Sequence, residues 1–502
     1  MTEQEPASSK AASVSDGAGP AGDVVPSVSP TDGVALQPAD PAGLDTSLRS
    51  PAQRSRTFAG ILANTALANV TTGYLWFALT FWVYLETRNV IATGVIGGAF
   101  MLLIALSSVS FGTLVDRYRK LAVMRFAAGF TLVMFVLAGV MFLLTPEASM
   151  LDLTQPWFWV LTAIILIGAV VENMRNIALS TTVTLLIEPA RRDKANGLVG
   201  MVHGLMFIAT SVFSGLSIGL LGMGWTIAVA VMLTVLSFAH LFTLRIPEEV
   251  HVAPTDAHGG FDLRGSVAAV FAIAGLFALI LFSTFNNFSA GAFMALIDPY
   301  GLEMFPVELW GVFFALGATG YIVGGALIAK FGLGKNPLRT LLIAVILVGI
   351  LGAVFTLREW AWLFVAGIWS YKVVMPFAEA AEQTVIQQVV PLERQGRVFG
   401  FAMAFESTAA PVTAFLIAPL AQVWIIPYAR SAEGSAQLAP LLGEGAMRGI
   451  ALIYLVAGLI MVAAALLAFL TPAYRRITES YAQATAAGQN TEGTPSVPGS
   501  PT

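Results

Sequence analysis

Apolar runs long enough to cross a bilayer recur along most of this chain, and no other feature limits its fold so tightly. They fall at 58–84, 91–114, 121–144, 157–187, 197–221, 225–245, 265–297, 309–330, 338–357, 361–390, 399–424 and 448–471. A hydrocarbon core of about 30 Å takes about 20 helical residues to cross. Membrane barrels show alternating segments of about 10 residues instead. These runs are continuous, and a helix satisfies its own backbone in lipid. The pattern predicts an all-α integral membrane protein with twelve transmembrane helices.

Composition agrees. Hydrophobic residues make up 57% of the 502 and charged residues 11%, against about 25% charged in soluble domains. A chain this apolar could not cover its surface with polar groups. There are no cysteines, which excludes disulfides, thiolate metal sites and cysteine nucleophiles. Residues 1–53 are rich in Ala, Ser, Pro, Gly and Asp and lack periodic apolar positions, so they read as a disordered tail. Residues 476–502 read the same way. No cleavable signal peptide is expected, because the first apolar run follows a polar tail.

Lysine and arginine counts set the expected orientation. With the N-terminus inside, 20 of the 26 basic residues fall in cytoplasmic segments and 4 outside, leaving Arg175 and Lys372 within spans. Both termini are then cytoplasmic. The longest cytoplasmic connection, 246–264, divides the spans six and six. This gives two six-helix bundles at 54–245 and 265–475. The halves echo one another: Asn69 to Gly73 in the first span corresponds to Asn287 to Gly291 in the seventh, and Pro189, Arg191 and Gly200 correspond to Pro391, Arg394 and Gly400. Paired halves suggest a transporter with its substrate site between them.

The sharpest motif runs Gly112-Thr-Leu-Val-Asp116-Arg117-Tyr118-Arg119-Lys120. Glycine lets two helices approach closely. Asp116, at a span end beside four cations, can pair across helices and lock one conformation. It can equally be a local counter-charge in a basic loop, and spacing alone leaves both readings open. The nonapeptide resembles the loop between helices 2 and 3 of the major facilitator superfamily, G-x-x-x-D-R-x-x-[RK], and the resemblance extends over about 58–475. Segments such as GLGKNPLRTLL and MPFAEAAEQTVIQQVVPLERQGRVFGF are similar to a drug:proton antiporter branch that includes macrolide-efflux-type proteins. The resemblance implies the major facilitator fold and a gating role for Gly112, Asp116, Arg117 and Lys120. Two departures stand out. The eighth span has Ala329 where the second copy of the motif would carry its acid, and the fifth span lacks the antiporter Gly-Pro pair.

Charge inside the spans is the next signal, since it costs a few kcal/mol or more at the bilayer centre. The fourth span carries Glu172, Arg175 and Asn176, all on one side of a helix. They form either a self-neutralised structural pair or a proton or substrate site. The tenth span carries Lys372 near mid-membrane, Glu379 two turns on, and Pro376 between them; Glu382 lies deeper. Glu406 in the eleventh span has a similar depth. Glu172, Glu379, Glu382 and Glu406 are the proton-coupling candidates. A static charge network is the alternative. Asn69, Asn286 and Asn287 are mid-membrane amides, suited to substrate contact or to interhelical hydrogen bonds worth about 1 kcal/mol. With Trp76, Arg175, Asn176 and Lys372 they complete the substrate-cavity candidates. His203 reads as a packed residue, and His251 and His258 have no metal-ligand pattern around them.

The expectation is a secondary transporter of the bacterial cytoplasmic membrane. The resemblance implies export of hydrophobic or amphiphilic small molecules, exchanged for protons, by a monomer without a cofactor. No Walker motif is present, so ATP is not the direct energy source. No nucleic-acid footprint, metal site or nucleophile–base constellation is present, so no enzymatic activity is expected. An importer or facilitator of a polar metabolite is the alternative within the same fold. A non-transporting receptor or scaffold is the alternative from another class.

Overall fold

Backbone amides in lipid find no water, so each apolar run closes its own hydrogen bonds as a helix. The structure is a computed structural model describing residues 50–87, 90–146, 149–150, 152–246, 263–443 and 447–492, all within one compact unit, Pro38–Thr502. Most of the expected N-terminal tail, most of the 246–264 connection and the last ten residues lie outside the described residues.

The first half contains α1 (Pro51–Thr87), α2 (Val90–Arg117), α3 (Lys120–Leu144), α4 (Pro156–Glu172), α5 (Met174–Leu186) and α6 (Arg192–His240). The second contains α7 (Leu263–Phe271), α8 (Leu276–Met304), α9 (Val307–Phe331), α10 (Pro337–Val354), α11 (Ala361–Val389), α12 (Leu392–Leu420), α13 (Ile426–Arg430), α14 (Ala432–Leu442), α15 (Arg448–Leu470) and α16 (Pro472–Glu492). Among the described residues, eleven continuous helical stretches are long and apolar enough to span. The twelfth crossing is inside α6. Gly222 there has φ 76° and ψ 175°, a conformation that glycine adopts without a Cβ penalty. The Ser217 and Thr226 hydroxyls sit 2.7 Å apart across it, whereas nine residues of straight helix would span about 14 Å. The chain therefore reverses at Gly222, and α6 supplies both the fifth and sixth spans. Its return limb reaches Asn64 near the start of α1, whose amide donates to the Ser237 carbonyl at 2.8 Å.

Four features depart from the sequence reading. The expected seventh span, 265–297, is broken between α7 and α8, and the crossing helix starts only at Leu276, after Gly275 with φ 89°. The fourth span is broken at Asn173, between α4 and α5. Two short helices, α13 and α14, precede the twelfth span. The segment after Ile477, expected to be disordered, continues as helix α16 to Glu492. Its Ile477 is 2% exposed and lies against Gly275, so apolar burial holds a helix that composition alone does not suggest.

The basic loops cluster at one end of the molecule, called here the basic face. The two halves of the chain meet there along two seams. In one, Gly112 of α2 lies against the Gly396 carbonyl and Gly400 of α12. In the other, Gly197 and Gly204 of α6 lie against Ile328, Tyr321 and Ile322 of α9, and Gly325 of α9 lies against Met201. A Cβ at any of these glycines would meet backbone or fixed side-chain atoms. Gly215 and Gly219 follow Gly197 and Met201 by 18 residues, or five full helical turns, so they continue the same face of α6. Nothing lies within 4 Å of a Cβ built at Gly215 or Gly219, nor at Gly97 or Gly98 on α2. The seams are closed at the basic face and parted toward the opposite face.

Candidate functional site

Each seam is sealed at the basic face by a carboxylate that accepts backbone N–H groups from the other half. In the first, Asp116 accepts from Gly396 at 2.6 Å and Arg397 at 2.8 Å, and the Arg397 guanidinium stands 4.0 Å away. Lys120, also buried, is close enough for its charge to act on Asp116. Arg117 turns instead onto the Tyr118 ring, 5.9 Å from its centroid. In the second seam Ala329 supplies no acid. Asp193, at the start of α6, accepts the Leu333 N–H just beyond α9 at 2.8 Å. The acid has moved to the other side of the seam, so the loss at position 329 leaves it closed. Gly332, with φ 76°, gives that carboxylate its space.

Between the seams lies a band of buried amides. Asn196 donates to Thr384 and to Gln387, each at 2.9 Å. Gln387 donates to the Ser180 carbonyl at 3.0 Å, and Arg192 donates to the Gln387 carbonyl at 2.8 Å. Buried polar groups cost free energy unless they are paired. This set is paired across the halves, so it stabilises contact at this end alone. Sequence reading missed Asp193, Asn196 and Gln387, because polar residues near helix ends carry no motif.

The fourth-span charges sit away from the parted region. Arg175 is 0% exposed and Glu172 2%. Arg175 donates to Glu172 Oε1 and to Asn64 Oδ1, and Thr131 donates to Glu172 Oε2 at 3.1 Å. This knot ties α1, α3, α4 and α5 inside the first half. Arg175, expected in the substrate cavity, therefore touches no open space, because its carboxylate partner lies three residues back on the same inward-facing side. The neighbouring amides do reach the gap. Asn69 donates to Asn176 at 2.8 Å, Asn176 to Asn173 at 2.8 Å, and Asn173 reaches Met403 Sδ of the second half at 3.1 Å.

The tenth-span charges face the gap between the halves. Glu379 is exposed, yet Tyr321 of α9, Tyr371 and Glu382 of α11 and Glu406 of α12 lie near enough to feel its charge. Accessible surface surrounded by three helices marks the wall of a chamber. Glu382 is buried and lies near enough to Glu406 of α12 and Ser283 of α8 for them to act on it electrostatically, while Glu382 Oε1 and Glu406 Oε1 have no hydrogen-bond partner among the described residues. Lys372 lies over Phe314 of α9 at 4.2 Å and Phe207 of α6 at 5.5 Å. Those rings join an aromatic series across the halves, from Phe100 and Trp76 through Phe77 and Phe207 to Phe314. Phe207 and Phe314 have no sequence signal, being aromatic residues in apolar helices. Asn287 donates to the Ser283 carbonyl at 3.2 Å, while the Asn286 carbonyl oxygen is without a partner among the described residues. His203, read as packed, is exposed.

Two halves joined at one face, parted at the other and lined by charge at mid-depth define a membrane carrier rather than an enzyme. The chain belongs to the Major Facilitator Superfamily, whose family model matches residues 61–415. It is 22% identical over 367 residues to macrolide efflux protein A of Streptococcus pyogenes, covering 72% of this chain and 88% of that protein. A macrolide efflux protein A of Enterococcus faecalis is 22% identical over 309 residues, covering 60% and 93%. Among solved structures, a bacterial homologue of the iron transporter ferroportin in an outward-facing state superposes with a TM-score of 0.56 at 14% identity, covering 82% of this chain and 98% of that one. At that identity the likeness concerns the fold alone.

Proposed function

We propose that this secondary transporter exports hydrophobic or amphiphilic small molecules in exchange for protons, with its basic face in the cytoplasm of a bacterial cell. The inside excess of lysine and arginine supports the orientation, and the efflux relatives support the direction. The observation that carries the coupling is the carboxyl cluster: Glu379 open to the chamber, with Glu382 and Glu406 close behind it and carrying carboxylate oxygens without a hydrogen-bond partner among the described residues. Clustered carboxylates repel one another, so a proton taken up by any of the three relieves the others. Glu379 passes a proton inward from the open side, and the pair holds it until the seams at the basic face separate. Glu172, sealed in its knot, has no such path. Asn69, Asn176, Asn286, Asn287 and Trp76 contact substrate along the first-half and seventh-span walls.

The test is substrate flux in everted membrane vesicles with an imposed pH gradient. Wild-type protein should concentrate an amphiphilic dye only with the gradient. Glu382→Gln and Glu406→Gln should abolish gradient-driven accumulation while still allowing exchange of dye for dye. Wild-type flux indifferent to the gradient, or full coupling in all of Glu379→Gln, Glu382→Gln and Glu406→Gln, would refute the reading. Uptake in the opposite direction would favour import.

A further inference from the structure

The chamber wall holds a cation beside an apolar cavity, and together they select for charge. Near the opposite face, α9 and α11 flank an open groove of about 530 Å³, lined by Phe313, Leu316, Trp362, Val365, Ala366 and Trp369 among others. Small-molecule pockets typically measure about 300–1,000 Å³. The lining offers two polar hydrogens, the indole N–H groups of Trp362 and Trp369, and Thr319 already accepts the Trp369 N–H at 3.1 Å. Trp362, Val365, Ala366 and Trp369 recur at helical spacing on α11, and the next residue on that face is Lys372.

The Lys372 side chain climbs toward this cavity. A Cβ at Gly320 would lie 3.0 Å from Lys372 Cβ, and one at Gly317 would lie 3.9 Å from its Cδ. Its Nζ is 4.2 Å from the Phe314 centroid. From Gly320 through Gly317 to Phe314 the path runs back along α9 toward Phe313 and Leu316 in the cavity wall. Among the described residues the ammonium forms no hydrogen bond or salt bridge. Two aromatic faces, those of Phe207 and Phe314, lie against it and attract a cation. Asp298, the acid whose charge reaches it, already accepts the Trp310 indole N–H at 3.0 Å. A cation held by rings, with no carboxylate in contact, is poised for a charge-assisted hydrogen bond.

We propose that this site binds amphiphilic anions, with the apolar body in the α9–α11 cavity and a carboxylate, sulfonate or phosphate group on Lys372. The inference rests on the transport reading above and names its substrate class. Cationic amphiphiles meet a like charge here that no carboxylate contacts, and are disfavoured.

Equilibrium binding in nanodiscs tests this without any gradient, so its failure is distinct from failure of the flux experiment. The probes are anilinonaphthalene sulfonate, an anion, and phenylnaphthylamine, its uncharged counterpart, each titrated by fluorescence against empty nanodiscs. Lys372→Met should weaken sulfonate binding by about tenfold or more and leave phenylnaphthylamine within about twofold. Lys372→Arg should restore sulfonate binding, and Trp369→Ala should weaken both probes. Retained phenylnaphthylamine binding shows that the Lys372 variants are folded. Equal sulfonate affinity in wild type and Lys372→Met, or tighter wild-type binding of a cationic dye than of the sulfonate, would overturn the proposal.

Discussion

At the scale of single residues, the two sets of buried charge have opposite characters. Glu172 and Arg175 are enclosed on all sides, and Asn64 and Thr131 add hydrogen bonds to the pair. Removing one member leaves the other charged and dry, which costs about 3–5 kcal/mol. Glu172→Ala should therefore lower thermal stability in detergent far more than Glu379→Ala, whose side chain already meets open space. Equal melting temperatures for the two variants would show that the knot does not hold the first half together. The three-residue spacing of Glu172 and Arg175 was legible in the sequence, and so was their capacity to pair. Their enclosure was not, because it depends on Asn64, over a hundred positions away. Lys372 and Glu379 show the converse: their helical spacing places them on one face, and that face borders the chamber.

At the scale of helices, hydropathy located every crossing, since lipid imposes one length on all of them. It could not foresee α16, whose stability comes from docking Ile477 on Gly275 rather than from its own composition. Nor could it foresee how the second seam closes. The motif copy with Ala329 suggested a half-missing gate, but Asp193 supplies the acid from the facing helix. Such an exchange leaves no trace in either helix read alone. A hydrogen bond to a charged group contributes about 1.5–3 kcal/mol, so Asp193→Ala should loosen α6 from α9 at the basic face. Spin labels on Lys194→Cys and Lys335→Cys, both exposed, would report this. The distance distribution should broaden toward longer values in Asp193→Ala and in Gly332→Ala, whose Cβ would strike the Asp193 carboxylate. A distribution identical to that of the parent would mean that this carboxylate does not fasten the seam.

At the scale of the whole molecule, the glycines along α2 and α6 describe one position of a rocking motion. Gly112 and Gly197 press on the other half, while Gly98 and Gly215, farther along the same helices, press on nothing. Small residues permit close helix approach in membranes, so both ends of each seam are built to close, and only one is closed. If the halves rock as rigid bodies, blocking closure at the basic face must favour closure at the other. Gly112→Val does this, because its side chain would collide with the Gly396 backbone. The chain has no cysteine, so single cysteines can report the switch directly. With Gly112 intact, Gly215→Cys should react with a membrane-impermeant maleimide applied at the opposite face. Ser108→Cys, fully buried against Gly400, should react from neither side. Adding Gly112→Val should exchange them, exposing position 108 at the basic face and shielding position 215. If position 108 opens while position 215 stays equally reactive, the halves do not move as coupled bodies, and alternation in this chain has to arise from bending within helices.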